Sequence, residues 1–161
     1  TVFEGYVGDS AFVACVGNVS LEGKILVETV EGALYAGIEQ MVAGNHVGDI
    51  SAAIQNYAES RGFHVTREYT GHGVGRAMHE GPQVPNYGTP GRGLVLRAGM
   101  TIAIEPMLLV GTPATRVLPD QWTVSSADGS LTAHYEHTIA VTDNGPLILT
   151  TQENGSIPRR K

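Results

Sequence analysis

The sequence predicts an α+β fold in which helices cover one face of an antiparallel sheet. Helical apolar periodicity is concentrated before Gly62, short strand patterns punctuated by turn residues fill the rest, and no low-complexity linker or repeat divides the chain. One domain accounts for all 161 residues.

Residues 1–17 read as a hairpin, TVF and YVGDSAFVACV flanking a Glu4-Gly5 turn, with hydrophobics alternating through Phe12 and Ala14. Asn18 or Ser20 starts a helix over LEGKILVETVEGALYAGIEQMVAG. Leu21, Ile25, Leu34, Ile38 and Met41 mark its apolar face and Gly44 its end, while Gly23, Gly32 and Gly37 weaken it. Asp49 caps a second helix, ISAAIQNYAESR, with Ile50, Ile54, Tyr57 and Ala58 inward and Gly62 closing it. HVTREY then reads as a strand, followed by glycine-rich GHGVGRAMHEGPQVPNYGTPGRG. TIAIEPMLLVG reads as another strand, and WTVSSADGSLTAHYEHTIAVTDNGPLILT as three, turning at ADGS and DNGP.

Composition narrows the function. The chain is 42% hydrophobic and 16% charged, which suits a packed core. No apolar run approaches the roughly 20 residues that cross a bilayer, and the opening residues lack a signal peptide's basic start and apolar stretch. The net charge is −6, and basic residues are dispersed until Arg159, Arg160 and Lys161, read as a solvated terminus. A nucleic-acid binder would concentrate them on one face. The single cysteine, Cys15, fits a reducing, cytoplasmic setting and reads as a buried, inert thiol in an apolar strand. The 21 glycines, several near a His or Glu, serve either a site built on turns and strand ends or ordinary loops.

Asp9, His72, His79, Glu105 and Glu136 are the candidate site residues. Glu105 follows Ile102, Ala103 and Ile104, an apolar run without alternation, as in a strand buried on both sides. In HYEHTIAVT, period two places Glu136, Thr138 and Ala140 on one face, and Tyr135, His137, Ile139 and Val141 on the other. A carboxylate in such surroundings is paired, protonated or metal-bound, because an isolated buried charge is too costly. Divalent cations reconcile two such glutamates with an Asp and a His. Neither HExxH nor a CxxC pair occurs. GHGVG lacks a following Lys-Ser/Thr, and GxGxxG is not completed, so zincin, zinc-ribbon and phosphate-loop readings fail.

GHGVGRAMHEGPQVPNYG, TIAIEPM and AHYEHTIAVT resemble the C-terminal signatures of type I methionine aminopeptidases, and GYVGDSAF resembles the segment carrying an earlier metal ligand. The resemblance runs from Gly5 to Leu149 and implies the pita-bread fold, incomplete at the N-terminus, with residues 1–161 forming the C-terminal part of one catalytic domain. It implies that Asp9 and Glu136 bridge two divalent ions (Co, Mn, Fe or Zn), with His72 and Glu105 completing one shell. An oxygen-rich shell with one imidazole favours Mn, Fe or Co over structural zinc. His79 would contact the scissile amide, and Trp122 would line the methionine pocket or else be an ordinary buried aromatic. The implied reaction is removal of the N-terminal methionine from nascent polypeptides by a metal-activated hydroxide, with Glu105 also handling the water's proton.

The sequence departs from that pattern in three respects. The family's remaining aspartate ligand falls upstream of Thr1, together with the N-terminal half. Met78 stands where Phe is frequent, and His134 where Gln is common. From the first departure, this chain is expected to bind at most one ion well and to turn methionyl peptides over poorly or not at all. The alternatives are a non-catalytic pita-bread binding module and a relative of the Xaa-Pro peptidases, the latter disfavoured by RAMHEGPQVPNYG.

Overall fold

The computed structural model describes residues 1–151, so Arg159, Arg160 and Lys161 lie outside the described residues. The first helix, α1, spans Leu21–Ile38, and the Ser20 hydroxyl accepts the Gly23 N–H at its start. Leu34, Ile38 and, beyond the helix, Met41 are buried as expected, with Leu26, Val30 and Ala33 completing the stripe, whereas Leu21 and Ile25 in the first turns are exposed. Contact with the second helix explains why the internal glycines do not break α1. A Cβ on Gly32 would lie 2.1 Å from the Tyr57 hydroxyl oxygen, and one on Gly37 would lie 2.9 Å from Ile54 Cγ1. The expected stop at Gly44 is also corrected: α1 ends at Ile38, and Gly44 (φ +96°) belongs to the following turn.

The second helix, α2, spans Val47–Glu59. Asp49 does not occupy the N-cap as expected; His46 does. From the third helical position the Asp49 carboxylate accepts the His46 N–H at 2.6 Å and the Gly91 N–H at 2.8 Å. Ile50, Ile54 and Ala58 are buried as expected, and Tyr57 packs against the edge of the core.

The strands are β1 (Val2–Phe3), β2 (Tyr6–Val7), β3 (His64–Val65), β4 (Thr70–Gly73), β5 (Glu80–Pro85), β6 (Thr101–Ile104), β7 (Met107–Leu109), β8 (Thr115–Val117), β9 (Val124–Ser126), β10 (Thr132–His134), β11 (His137–Thr142) and β12 (Gly145–Ile148). They pair antiparallel into a five-stranded sheet, β12-β11-β6-β4-β5, a three-stranded sheet, β10-β7-β3, and two hairpins, β1-β2 and β8-β9. The Glu4-Gly5 turn is where the sequence places it, but the strand after it stops at Val7. Asp9 to Gly17 forms no further regular strand: Asp9 bonds to Thr138 and Ala11 bridges to Glu136, while Phe12 and Val16 stay exposed and Cys15 half-buried in this irregular segment.

TIAIEPMLL is one expected strand that the structure splits into β6 and β7 at Glu105-Pro106, because proline cannot donate to a ladder. Opposite it, HYEHTIAVT divides between β10 and β11. Both halves keep one register, His134 facing Met107 and His137 facing Ile104. That register opposes Glu105 to Glu136 at the seam between the two sheets, where the Tyr135 N–H reaches the Pro106 carbonyl.

The helices pack on the face carrying Ile102, Ile104, Ile139, Val141 and Val84. Cross-strand partners share a face, so His72, Ala103 and Thr138 point to the opposite side, together with Glu105 and Glu136. This is the predicted α+β layering. Among the described residues, no helix is long and apolar enough to cross a membrane.

Candidate metal centre

His72 sits on β4 between two glycines that the packing requires. A Cβ on Gly71 would lie 2.5 Å from the Ala103 carbonyl oxygen, and one on Gly73 only 2.0 Å from the Gly81 carbonyl oxygen. The glycines let β4 fit between β5 and β6, which delivers His72 to the seam. Its Nδ1 lies 2.9 Å from the Gly73 carbonyl, so the neutral ring donates there and turns an Nε2 lone pair outward. That Nε2 lies 3.4 Å from Glu105 Oε1 and 3.9 Å from Asp9 Oδ2. Acceptor faces acceptor, an arrangement that a cation or a proton relieves.

Asp9 is fixed through its backbone, leaving its carboxylate free to point inward. The Thr138 hydroxyl accepts the Asp9 N–H at 2.9 Å and donates to the Asp9 carbonyl at 2.8 Å. Two residues on, Ala11 exchanges both backbone hydrogen bonds with Glu136. Thr138 and Glu136 thus hold this irregular segment against the site.

Burial and the neighbouring negative charges of Glu105 and Asp9 push the Glu136 carboxyl up to about 7. His134 was noticed in the sequence only as a departure, yet it belongs to the cluster. Its Nε2 lies 3.4 Å from Glu105 Oε2 and 3.9 Å from Glu136 Oε2. Burial lowers its pKa, but the carboxylates of Glu105, Glu136 and Asp9 outweigh that and raise it. The usable signal was its position two residues before Glu136, which period two places on the same face. Among the described residues, two sets of ligand-type atoms lie within 4.8 Å of one another: Asp9, His72 and Glu136, and Glu105, His134 and Glu136.

His79 lies in the turn before β5, exposed, with its ring edge-on to His72 at 4.4 Å between centroids. It belongs to neither ligand set. Met78 beside it is 48% exposed. Trp122, in the loop between β8 and β9, is 88% exposed, which rules out the buried-aromatic alternative in this chain.

The profile of metallopeptidase family M24 matches residues 1–143. The chain belongs to that family. Within M24, it is 49% identical over 152 residues to the methionine aminopeptidase of Clostridium acetobutylicum, covering 94% of this chain and 61% of that protein. It is 49% identical over 146 residues to methionine aminopeptidase 1 of Bacillus subtilis, covering 91% and 59%. The fold matches the methionine aminopeptidase structure from Thermotoga maritima with a TM-score of 0.92 and 50% identity, covering 94% of this chain and 61% of that one. A prolidase from Pyrococcus horikoshii matches at 0.70 and 27% identity, covering 94% and 38%. These M24 matches establish the pita-bread fold. The chain spans about three-fifths of the length of the curated relatives it matches.

Proposed function

We propose that this chain carries most of the metal centre of a methionine aminopeptidase, and that the protein removes N-terminal methionine from nascent polypeptides in the cytoplasm. The observation that carries this reading is His72: with Nδ1 committed to Gly73, its Nε2 faces the carboxylates of Asp9 and Glu105. The donor set suits a divalent cation, because three acids and an outward lone pair share one partly buried site and, among the described residues, no Lys or Arg forms an ion pair with them. In this reading Asp9, His72, Glu105 and Glu136 would hold the divalent metal, with His72 supplying the imidazole. Bound divalent cations supply Lewis acidity and lower the pKa of water.

The chain's own residues divide the remaining work. In this reading Glu105, whose two oxygens face the His72 and His134 imidazoles, would take up and return the proton of a water. His79, held edge-on to His72 and exposed, is placed to hydrogen-bond a peptide amide arriving over the site. Met78 and Trp122 offer exposed apolar surface for the methionine side chain. Residues 1–161 form the C-terminal part of a single catalytic domain in this reading.

Higher identity to methionine aminopeptidases than to the prolidase favours methionine over proline specificity. The test compares hydrolysis of Met-Gly and Ala-Pro peptides by the Mn²⁺-loaded protein, beside a calorimetric Mn²⁺ titration. Preferential methionine release, lost on His72→Ala, is expected. Faster Ala-Pro cleavage would move the reading to the proline peptidases. Metal binding with neither cleavage nor any effect of Met-Gly on Mn²⁺ affinity would move it to a non-catalytic binding module.

A further inference from the structure

We propose that His134 is a metal ligand, completing with Glu105 and Glu136 a second cation position beside the one at His72. This rests on the metal-centre reading above and adds to it a residue in which this chain departs from the common pattern. The His134 Nε2 is buried and has no hydrogen-bond partner among the described residues, although two carboxylates lie close by. An orphaned imidazole nitrogen aimed at carboxylate oxygens signals a missing cation as much as a missing hydrogen bond.

The distances fit. Metal–ligand bonds of about 2.0–2.2 Å place neighbouring ligand atoms about 2.8–3.6 Å apart, from octahedral to tetrahedral geometry. His134 Nε2 is 3.4 Å from Glu105 Oε2 and 3.9 Å from Glu136 Oε2, so shifts of a few tenths of an ångström would close the shell.

The two oxygens of Glu105 are divided between the imidazoles, Oε1 toward His72 and Oε2 toward His134. Glu136 likewise belongs to both sets of ligand atoms. The shared glutamates therefore occupy the middle, with one imidazole terminating each end. His134 is also well anchored, because its strand pairs with β7 through His134 and Met107 immediately before the seam. A nitrogen ligand at this end favours Co, Fe or Zn over Mg. The second position lacks a contribution from Asp9 in its ligand set, so it is the weaker of the two.

The experiment is a calorimetric titration of the chain with Co²⁺, before and after His134→Gln and His134→Ala. X-ray absorption at two equivalents of Co²⁺ counts the imidazoles per metal. The expected result is one tight and one weaker equivalent in the original chain, with about one imidazole per cobalt. Both variants should weaken the second equivalent on the order of tenfold or more, leave the first largely unchanged, and lower the imidazole count. Unchanged affinities with an unchanged count would overturn the assignment and reduce His134 to an ion partner of Glu105. A single equivalent insensitive to His134 would overturn it while leaving the His72 site standing. A chain that binds no Co²⁺ would overturn both.

Discussion

Replacing Glu136 by glutamine should stabilise the metal-free chain and abolish its stabilisation by metal. Glu136 is buried, faces Glu105 across the seam, and has its carboxyl pushed up from 4.5 to about 7 by burial, Glu105 and Asp9. A carboxyl with a raised folded-state pKa is tolerated when protonated and penalised when ionised. The metal-free chain therefore keeps its full stability below about pH 4.5 and loses it as pH climbs toward 7. At about 1.4 kcal/mol per pH unit, ionisation costs about 3 kcal/mol. Glutamine is neutral at every pH, so Glu136→Gln should recover most of that at about pH 8 and almost none near pH 4.5. With a urea slope near 2 kcal/mol per molar, the midpoint should rise by about 1–1.5 M at the higher pH. Adding Mn²⁺ should close that gap, since saturation at about a hundredfold over Kd stabilises the original chain by about 2.7 kcal/mol and the variant hardly at all. Urea unfolding in EDTA and in Mn²⁺, at both pH values, measures all four stabilities. A variant less stable than the original in EDTA at pH 8, or a gain independent of pH, would refute the view of Glu136 as a strained charge awaiting a cation.

Other changes separate packing from chemistry. Thr138→Val keeps the side chain's size but removes both hydrogen bonds to Asp9, which should cost about 2 kcal/mol of stability and weaken Mn²⁺ binding, read by unfolding and calorimetry. Gly73→Ala should cost about 3 kcal/mol or more, or yield insoluble protein, because the new methyl meets a backbone carbonyl that cannot retreat. Gly32→Ala meets only the Tyr57 side chain, which can move aside where a backbone carbonyl cannot, and should be milder in thermal unfolding despite a similar nominal overlap. Asp49→Ala should cost about 1 kcal/mol near neutrality. The backbone N–H groups of His46 and Gly91 hold the Asp49 pKa low, so this penalty should shrink as acid protonates the original carboxylate.

The site was legible where chemistry and periodicity reinforced one another. Glu105 after an unbroken apolar run, and Glu136 sharing a face with Thr138, are local patterns, and the sheet brought them opposite each other. Asp9 required long-range information, because Thr138 and the Ala11 bridge place it without regular structure of its own. The layering of helices on a sheet followed from periodicity alone. The errors share a cause in tertiary contact. The first turns of α1 lie outside the contact with α2 that buries its later apolar residues, and the strand expected beyond Val7 pairs only as the single bridge of Ala11 to Glu136. The short strand β8 was missed because TRV pairs only with β9 and shows no apolar alternation. His134 was legible by the same period-two rule that found Glu136, but its chemistry was overlooked.

The seam at Glu105-Pro106 also has a mechanical meaning. The same two stretches of chain run through both sheets, and the acidic pair sits where they pass from one sheet to the other. A cation gripped by that pair would act as a rivet through a hinge, so that rocking one sheet against the other would open or close the jaws on the ion. Tension applied far out on either sheet would then be felt as a change in how firmly the metal is held.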